Sequence, residues 1–133
     1  MNYTDYFKFV DAVTSNESKD AYEFGQRSVE LIEERNFAVH RYLTAALGLS
    51  AEAGEFTEVV KKIVFQGKPV NEDNIFHMKR ELGDIMWYLA QACMALDTSL
   101  EEIVQMNIDK LSSRYPDGYF DSYFSENRQE GDV

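Results

Sequence analysis

The stretch "GLSAEAGEFTEVVKK", Gly48 to Lys62, sets the reading of the whole chain, because it places Glu52, Glu55 and Glu58 at three-residue intervals among Leu49, Phe56, Val59 and Val60. Apolar residues at that period describe one face of a helix that must be buried against something. With Leu49 set to zero and about 100° per residue, Tyr42, Ala45, Phe56, Val60 and Ile63 fall within roughly 40° of it. On the same wheel Glu52 lies at roughly −60°, inside the margin of the stripe, Glu55 at roughly −120°, on its border, and Glu58 at roughly 180°, in water. Glu58 has Lys61 and Lys62 three and four residues on, the spacing of surface ion pairs, whereas Glu52 and Glu55 are followed at that distance by Phe56 and Val59. Carboxylates at a core edge with no cation beside them are costly.

The anomaly returns in "ELGDIMWYLAQACMAL", Glu81 to Leu96, where Leu82, Met86, Leu89 and Cys93 mark an apolar stripe with Ile85 and Leu96 on its flank. Glu81 lies about 100° from Leu82, and Asp84, three residues further, shares its flank. Two helices thus each offer an E-x-x-[ED] pair at the edge of a core. Carboxylates crowded in this way repel one another, and a divalent cation between them relieves the repulsion. An all-oxygen shell selects a hard ion, Mg²⁺ or Mn²⁺. Redox di-iron bundles use Glu-x-x-His, and neither His40 nor His77 stands three residues after a glutamate. His77, four residues before Glu81, could point at the site, although a polar-face histidine without a ligand role is the commoner case.

Only two prolines and seven glycines punctuate the 133 residues, and they fall between periodic segments. The expected class is all-α, a compact helical bundle with a four-helix core and a short N-terminal helix, in a single domain over residues 1–133. That short helix spans about Thr4 to Val13 and stops in the turn-like "TSNESKD"; a second runs from about Ala21 to Glu34, with Asp20 or Ser18 as its N-cap. A third, about Phe37 to Phe65, ends at "QGKP", where Gly67 suits a left-handed position and Pro69 cannot continue the helix. A fourth runs from Glu72 or Asp73 to Leu96. Thr98 and Glu101, at capping-box spacing, open a fifth that continues to about Arg114. The segment from Tyr119 to Val133 is acidic and expected to be irregular.

An apolar fraction of 44% is too high for a disordered chain, and the longest apolar run, Ile85 to Leu96, is too short to span a bilayer. Cys93 is the only cysteine, so no intramolecular disulfide forms, and "MNYTDYFKFV" lacks the layout of a secretory signal, which together point to a cytoplasmic setting with no membrane partner. A formal net charge of −11 argues against a nucleic-acid polymer as partner, since neutralising a phosphate backbone takes clustered cations. Small phosphorylated ligands stay open to it through a bound metal or a few local cations.

The two acidic motifs, in this order, resemble those of the MazG-like nucleotide pyrophosphohydrolases of the all-α NTP pyrophosphatase superfamily. The likeness rests on "ALGLSAEAGEFTEVVKK" (Ala46 to Lys62), "ELGDIMWYLAQACMALDTSLEEIVQMNIDKL" (Glu81 to Leu111) and "RYPDGYF" (Arg114 to Phe120). It implies metal binding, with Mg²⁺ and Mn²⁺ as candidates, by Glu52, Glu55, Glu81 and Asp84. It also implies a nucleoside triphosphate substrate and a homodimer or homotetramer. Many relatives carry a second acidic residue directly before the first metal glutamate; Ala51 stands there in this chain.

In the fifth helix Leu100, Ile103, Val104 and Leu111 define an apolar stripe, yet Asn107 and Arg114 lie within roughly 40° of its centre, with Lys110 beside them. A triphosphate brought to an acidic site needs donors opposite the metal, and Asn, Lys and Arg on one helical face supply them. The resemblance places substrate-phosphate contacts at Asn107, Lys110 and Arg114, with Tyr115 nearby. Trp87, Tyr88, His40, Phe37 and Tyr42 are aromatic candidates for the base, although aromatics at helical spacing are usually core. The expected reaction is hydrolysis between the α and β phosphorus atoms, with Glu52 or Glu55 orienting or deprotonating the attacking water. The chain has no G-x-x-x-x-G-K-[ST] loop and no G-x-S-x-G elbow, and Cys93 sits on an apolar stripe. The competing readings are an acidic helical protein-interaction module and a nucleotide-binding family member without activity.

Overall fold

The computed structural model describes residues 2–133, which form helices α1 (Tyr3–Ala12), α2 (Asn16–Lys19), α3 (Ala21–Arg35), α4 (Val39–Phe65), α5 (Glu72–Ala95), α6 (Leu100–Arg114) and α7 (Ser122–Glu126), with no strand among the described residues. The all-α bundle class read from the sequence is therefore what the structure has. Two short helices were not expected. The polar "TSNESKD" turn contains α2, and the segment after Tyr119, expected to be irregular, contains α7, whose N-cap Asp121 accepts a hydrogen bond from the Tyr123 N–H. That cap satisfies a first-turn N–H of α7 without any apolar period, whereas α2 forms its single turn with no side-chain cap.

Side-chain caps mark the starts of α3, α5 and α6. Asp20 accepts from the backbone N–H groups of Tyr22 and Glu23 at the start of α3, and Asn71 accepts from that of Asn74 at the start of α5. At α6 the cap falls one residue later than Thr98: Ser99 accepts from the Glu102 N–H at 3.1 Å, and the Thr98 hydroxyl donates to the Glu102 carboxylate instead. "S-L-E-E" offers the same three-residue spacing as "T-S-L-E", so spacing alone could not separate the two registers. Between α4 and α5 the backbone turns through Gly67, at φ +72°, a conformation that a Cβ would strain.

Helices α4 and α5 form the one extensively packed pair. They run antiparallel, with the Tyr42 hydroxyl near the start of α4 donating to the Ala95 carbonyl at the end of α5 across 3.2 Å. The closest approach is at Gly48, where an added Cβ would lie 2.1 Å from the Tyr88 ring; this glycine is needed for close packing rather than for a turn. The seam buries Ala45, Gly48 and Val59 from α4 and Glu81 and Cys93 from α5.

This seam is rotated from the stripes drawn on the sequence. Val60, Leu82 and Met86 are exposed, while the buried line of α4 runs through Ala45, Gly48 and Val59, centred at roughly −80° on the wheel used above. A wheel averages every apolar position of a helix, including those that cover other neighbours, whereas two paired helices bury only the narrow line between them. The rotation moves Glu52 from the margin of the stripe towards its middle.

Outside the pair the chain is open. Its accessible surface is 10576 Å², against about 7,200 Å² for a compact monomer of this mass. Phe7, Phe9, Leu47, Phe65, Val104 and Met106 are among the large apolar side chains left exposed. No described helix is long and apolar enough to cross a membrane.

Candidate metal centre and the cationic groove

The rotation of the seam sets acidic groups of both helices against one another. One ligand atom from each of Glu52, Glu81 and Asp84 lies within 4.8 Å of the other two, and the same holds for Glu55, His77 and Glu81. Glu81 belongs to both groups and is the pivot. The four carboxylates picked out in the sequence thus gather around one side chain, and His77 joins them.

Glu81 is the buried charged residue of the chain, 8% exposed. Its Oε1 lies 2.7 Å from Nε2 of His77, one turn earlier on α5, while its Oε2 is buried with no hydrogen-bond partner among the described residues. An unpaired buried carboxylate oxygen is a costly feature, and here its neighbours are further acceptors. Contact with Glu81 chiefly, helped by partial burial and by the charges of Asp84, Glu81 and Glu55, holds the Glu52 carboxyl above the ordinary carboxylate range. That is the signature of oxygens that must share a proton or a cation. The donor set, several carboxylate oxygens with one left open and a histidine alongside, suits a hard divalent ion. Glu58 stands apart: its ion pairs with Lys61 at 3.0 Å and Lys62 at 3.5 Å keep its carboxyl below the ordinary range, as its spacing implied.

His77 is the residue that the sequence reading set aside. Its position four before Glu81 carried the signal, but a half-exposed histidine on a helix has no distinguishing pattern until Glu81 is seen to point inward.

The α6 residues gather at a different place. Asn107, Lys110 and Arg114 line a groove of about 540 Å³ closed on its other side by residues 129–132, and Asn107 and Tyr115 line a second groove of about 610 Å³ with Pro116 and Phe120. Arg114 is not free. Its Nε and Nη2 donate to the two carboxylate oxygens of Asp132 at 2.7 and 2.6 Å, and both side chains are only 11% exposed. Lys110 lies 3.8 Å from the same carboxylate and donates to the Val133 carbonyl. Asp132 raises the Arg114 pKa further and is itself held below the ordinary carboxylate range by Arg114. Asp132 carried no sequence signal, because it lies in a segment without apolar period. The ion pairs of Lys110 and Arg114 are with Asp132 and not with the α4–α5 cluster, and α6 packs at most sparsely on that pair.

Of the aromatic candidates, Tyr88 packs over Gly48, and Phe37 stacks on Tyr42 with ring centroids 4.0 Å apart. These are structural roles. Trp87, 56% exposed, meets Tyr88 edge-on; His40 is exposed at the start of α4. Cys93 is a buried free thiol.

A hairpin of long helices with carboxylates converging between them defines an all-α domain whose acidic cluster could hold a hard divalent ion. The chain belongs to the MazG nucleotide pyrophosphohydrolase family, whose domain model matches residues 40–119, more than half of its length. It is also similar to the Gene 37 protein of Mycobacterium phage L5, 44% identical over 69 residues that cover 51% of this chain and 60% of the relative. The chain thus spans less than two thirds of that curated relative. No solved structure matches.

Proposed function

We propose that this chain is a Mg²⁺-dependent nucleoside triphosphate pyrophosphohydrolase, releasing a nucleoside monophosphate and pyrophosphate. The observation that supports this best is Glu81: buried, with one oxygen lacking a donor, in the midst of Glu52, Glu55, Asp84 and His77. Glu52, Glu55, Glu81 and Asp84 would hold the ion, with Mn²⁺ as an alternative to Mg²⁺. When bound there, a divalent cation supplies positive charge opposite the phosphate oxygens and acidifies a water molecule. Glu52 or Glu55 orients the attacking water and accepts its proton. The water oxygen attacks the α phosphorus, the bond from that phosphorus to the α–β bridging oxygen breaks, and pyrophosphate departs.

Asn107, Lys110 and Arg114, with Tyr115 at the end of α6, would bind the phosphates once assembly or substrate binding brings α6 against the carboxylates, since in the single chain α6 packs at most sparsely on α4 and α5. Arg114 is now filled by a carboxylate, so substrate phosphates would have to displace Asp132 from its guanidinium fork. Carboxylate and phosphate present the same paired oxygens to that fork, which makes the exchange chemically simple.

The exposed apolar surface supports self-association as a homodimer or homotetramer, because the surface exceeds that of a compact monomer by about half. Light scattering on the purified chain tests this, and a monomer at micromolar concentration would overturn it.

The activity test is incubation with dNTPs and Mg²⁺, resolving the products, with Glu55→Gln and Asp84→Asn as controls. Monophosphate and pyrophosphate formed by the native chain and lost in both variants support the reading. Metal-dependent nucleotide binding without turnover would indicate an inactive family member. Neither turnover nor binding would leave an acidic interaction module.

A further inference from the structure

The contact of His77 with Glu81 gives this histidine a defined task. Nε2 of His77 lies at hydrogen-bonding distance, 2.7 Å, from Oε1 of Glu81, one helical turn on, and it is the nitrogen that meets this carboxylate, since Oε2 has no nitrogen or hydroxyl partner and faces only the neighbouring carboxyl of Glu52. Both oxygens belong to a buried carboxylate, whereas the His77 ring is nearly half exposed, 47%. Burial limits where the Glu81 side chain can go but leaves its carboxylate free to turn about its last bond, and a donor on one oxygen fixes that turn.

We infer that His77 is a positioning residue for the metal centre: by donating from Nε2 to Oε1 it fixes the rotation of the Glu81 carboxylate so that Oε2 faces the cluster as the ligand atom. The assignment rests on the carboxylate centre proposed above. A nitrogen that donates its hydrogen to Oε1 has no lone pair free for a cation, so the same contact that orients Glu81 takes Nε2 out of the donor set. The geometry also supplies a reason for a histidine here rather than a lysine. An imidazole has a neutral form that can still donate, whereas a lysine donor brings a full positive charge against the position where the ion would sit.

Glutamine can replace this function. A glutamine amide reaches a carboxylate four residues on in this very chain, where Nε2 of Gln105 donates to Oδ1 of Asp109 at 2.8 Å on α6. His77→Gln therefore keeps a donor on Oε1, and His77→Ala removes it.

The test is Mn²⁺ affinity measured by calorimetry on the full chain without nucleotide, for the native protein, His77→Ala and His77→Gln, with apo melting temperatures recorded alongside. Loss of an outer partner of this kind lowers metal affinity by about tenfold to a hundredfold, so His77→Ala is expected to weaken Mn²⁺ binding in that range and His77→Gln to stay within about threefold of native. Three results overturn the inference. If His77→Ala binds Mn²⁺ as tightly as native while only its apo melting point falls, the contact is structural and the metal reading survives. If both variants lose affinity equally, the ring is itself a ligand. If the native chain binds no Mn²⁺, the metal centre fails and the role of His77 fails with it. Should the alanine variant lose helical content, His77→Phe, which keeps a ring without a donor, takes its place under the same criteria.

Discussion

At the α4–α5 seam Glu81 keeps a buried oxygen with no donor, whereas at the α6 groove the guanidinium of Arg114 is already filled by Asp132. The two regions face the same problem, charges taken partly out of water, and resolve it differently. In the groove the stretch of chain beyond α7 folds back and supplies the missing counter-charge. Along the seam the groups sit on two long helices held by packing at Gly48 and Tyr88, so no segment can swing in, and the nearest neighbours are more carboxylates. A cluster of like charges with one buried oxygen unpaired suits an ion from outside, while the cationic groove already holds a counter-charge from its own chain. Whether the chain itself supplies the opposite charge separates the two.

The sharpest way to break the contrast is at Glu81. Replacing it with Gln should lower Mg²⁺-dependent turnover by about a hundredfold to a thousandfold, the scale seen when a group central to charge stabilisation is removed. The same change should make the metal-free chain about 1 kcal/mol more stable, because a neutral amide replaces a buried, half-paired carboxylate among like charges. Thermal melts in EDTA beside a turnover assay test both. A variant that loses activity and also loses apo stability would show Glu81 to be a structural ion-pair residue.

The second prediction concerns the groove. Asp132→Asn leaves Arg114 with a weaker, uncharged partner, and inorganic pyrophosphate should then bind about threefold to tenfold more tightly, whereas Arg114→Ala should weaken it by about tenfold or more. Calorimetry with pyrophosphate reads both. Unchanged affinity in Asp132→Asn would mean that the acidic segment does not compete for the site. The carboxyl of Asp132 is held below its ordinary value of 3.8, so its contact with Arg114 is in force above that pH and is lost only as pH falls through the lowered value. At neutral pH the competition is fully present.

The smallest effect separates the regions by pH. Glu52 is held above its ordinary value of 4.5, so in the metal-free chain the folded state keeps a proton that the unfolded chain has released. Its stabilising contribution is complete below that value and is lost as pH rises through the elevated one. Glu58 acts in the opposite direction, stabilising above 4.5 and failing as pH falls through its lowered value. In EDTA the melting temperature should therefore decline by a few degrees as pH rises from about 4.5, and the decline should shrink in Glu52→Gln and disappear in saturating Mg²⁺. A metal-free melting temperature that climbs through this window, in native and variant alike, would remove the argument that these oxygens compete for one cation.

Most of the helical framework was legible from the sequence because helices are local: Asp20, Gly67 and the sparse prolines set boundaries within a few residues of themselves. The acidic pairs at Glu52/Glu55 and Glu81/Asp84 were legible too, since three-residue spacing on a helix fixes a shared flank. The depth of each carboxylate was decided by the pairing of α4 with α5, which rotated the seam away from Leu49, Leu82 and Met86 and put Glu81 inside. His77 reaches Glu81 one turn along the same helix, a spacing that the sequence shows, and the pairing decided only that the carboxylate it meets is buried. Asp132 found Arg114 only because the chain after α7 turned back, a long-range contact between residues eighteen positions apart that no local pattern records. Sequence dictated which groups lie on which helical face, because that depends on backbone periodicity alone; the tertiary structure decided which faces meet, and with them which charges remain without a partner.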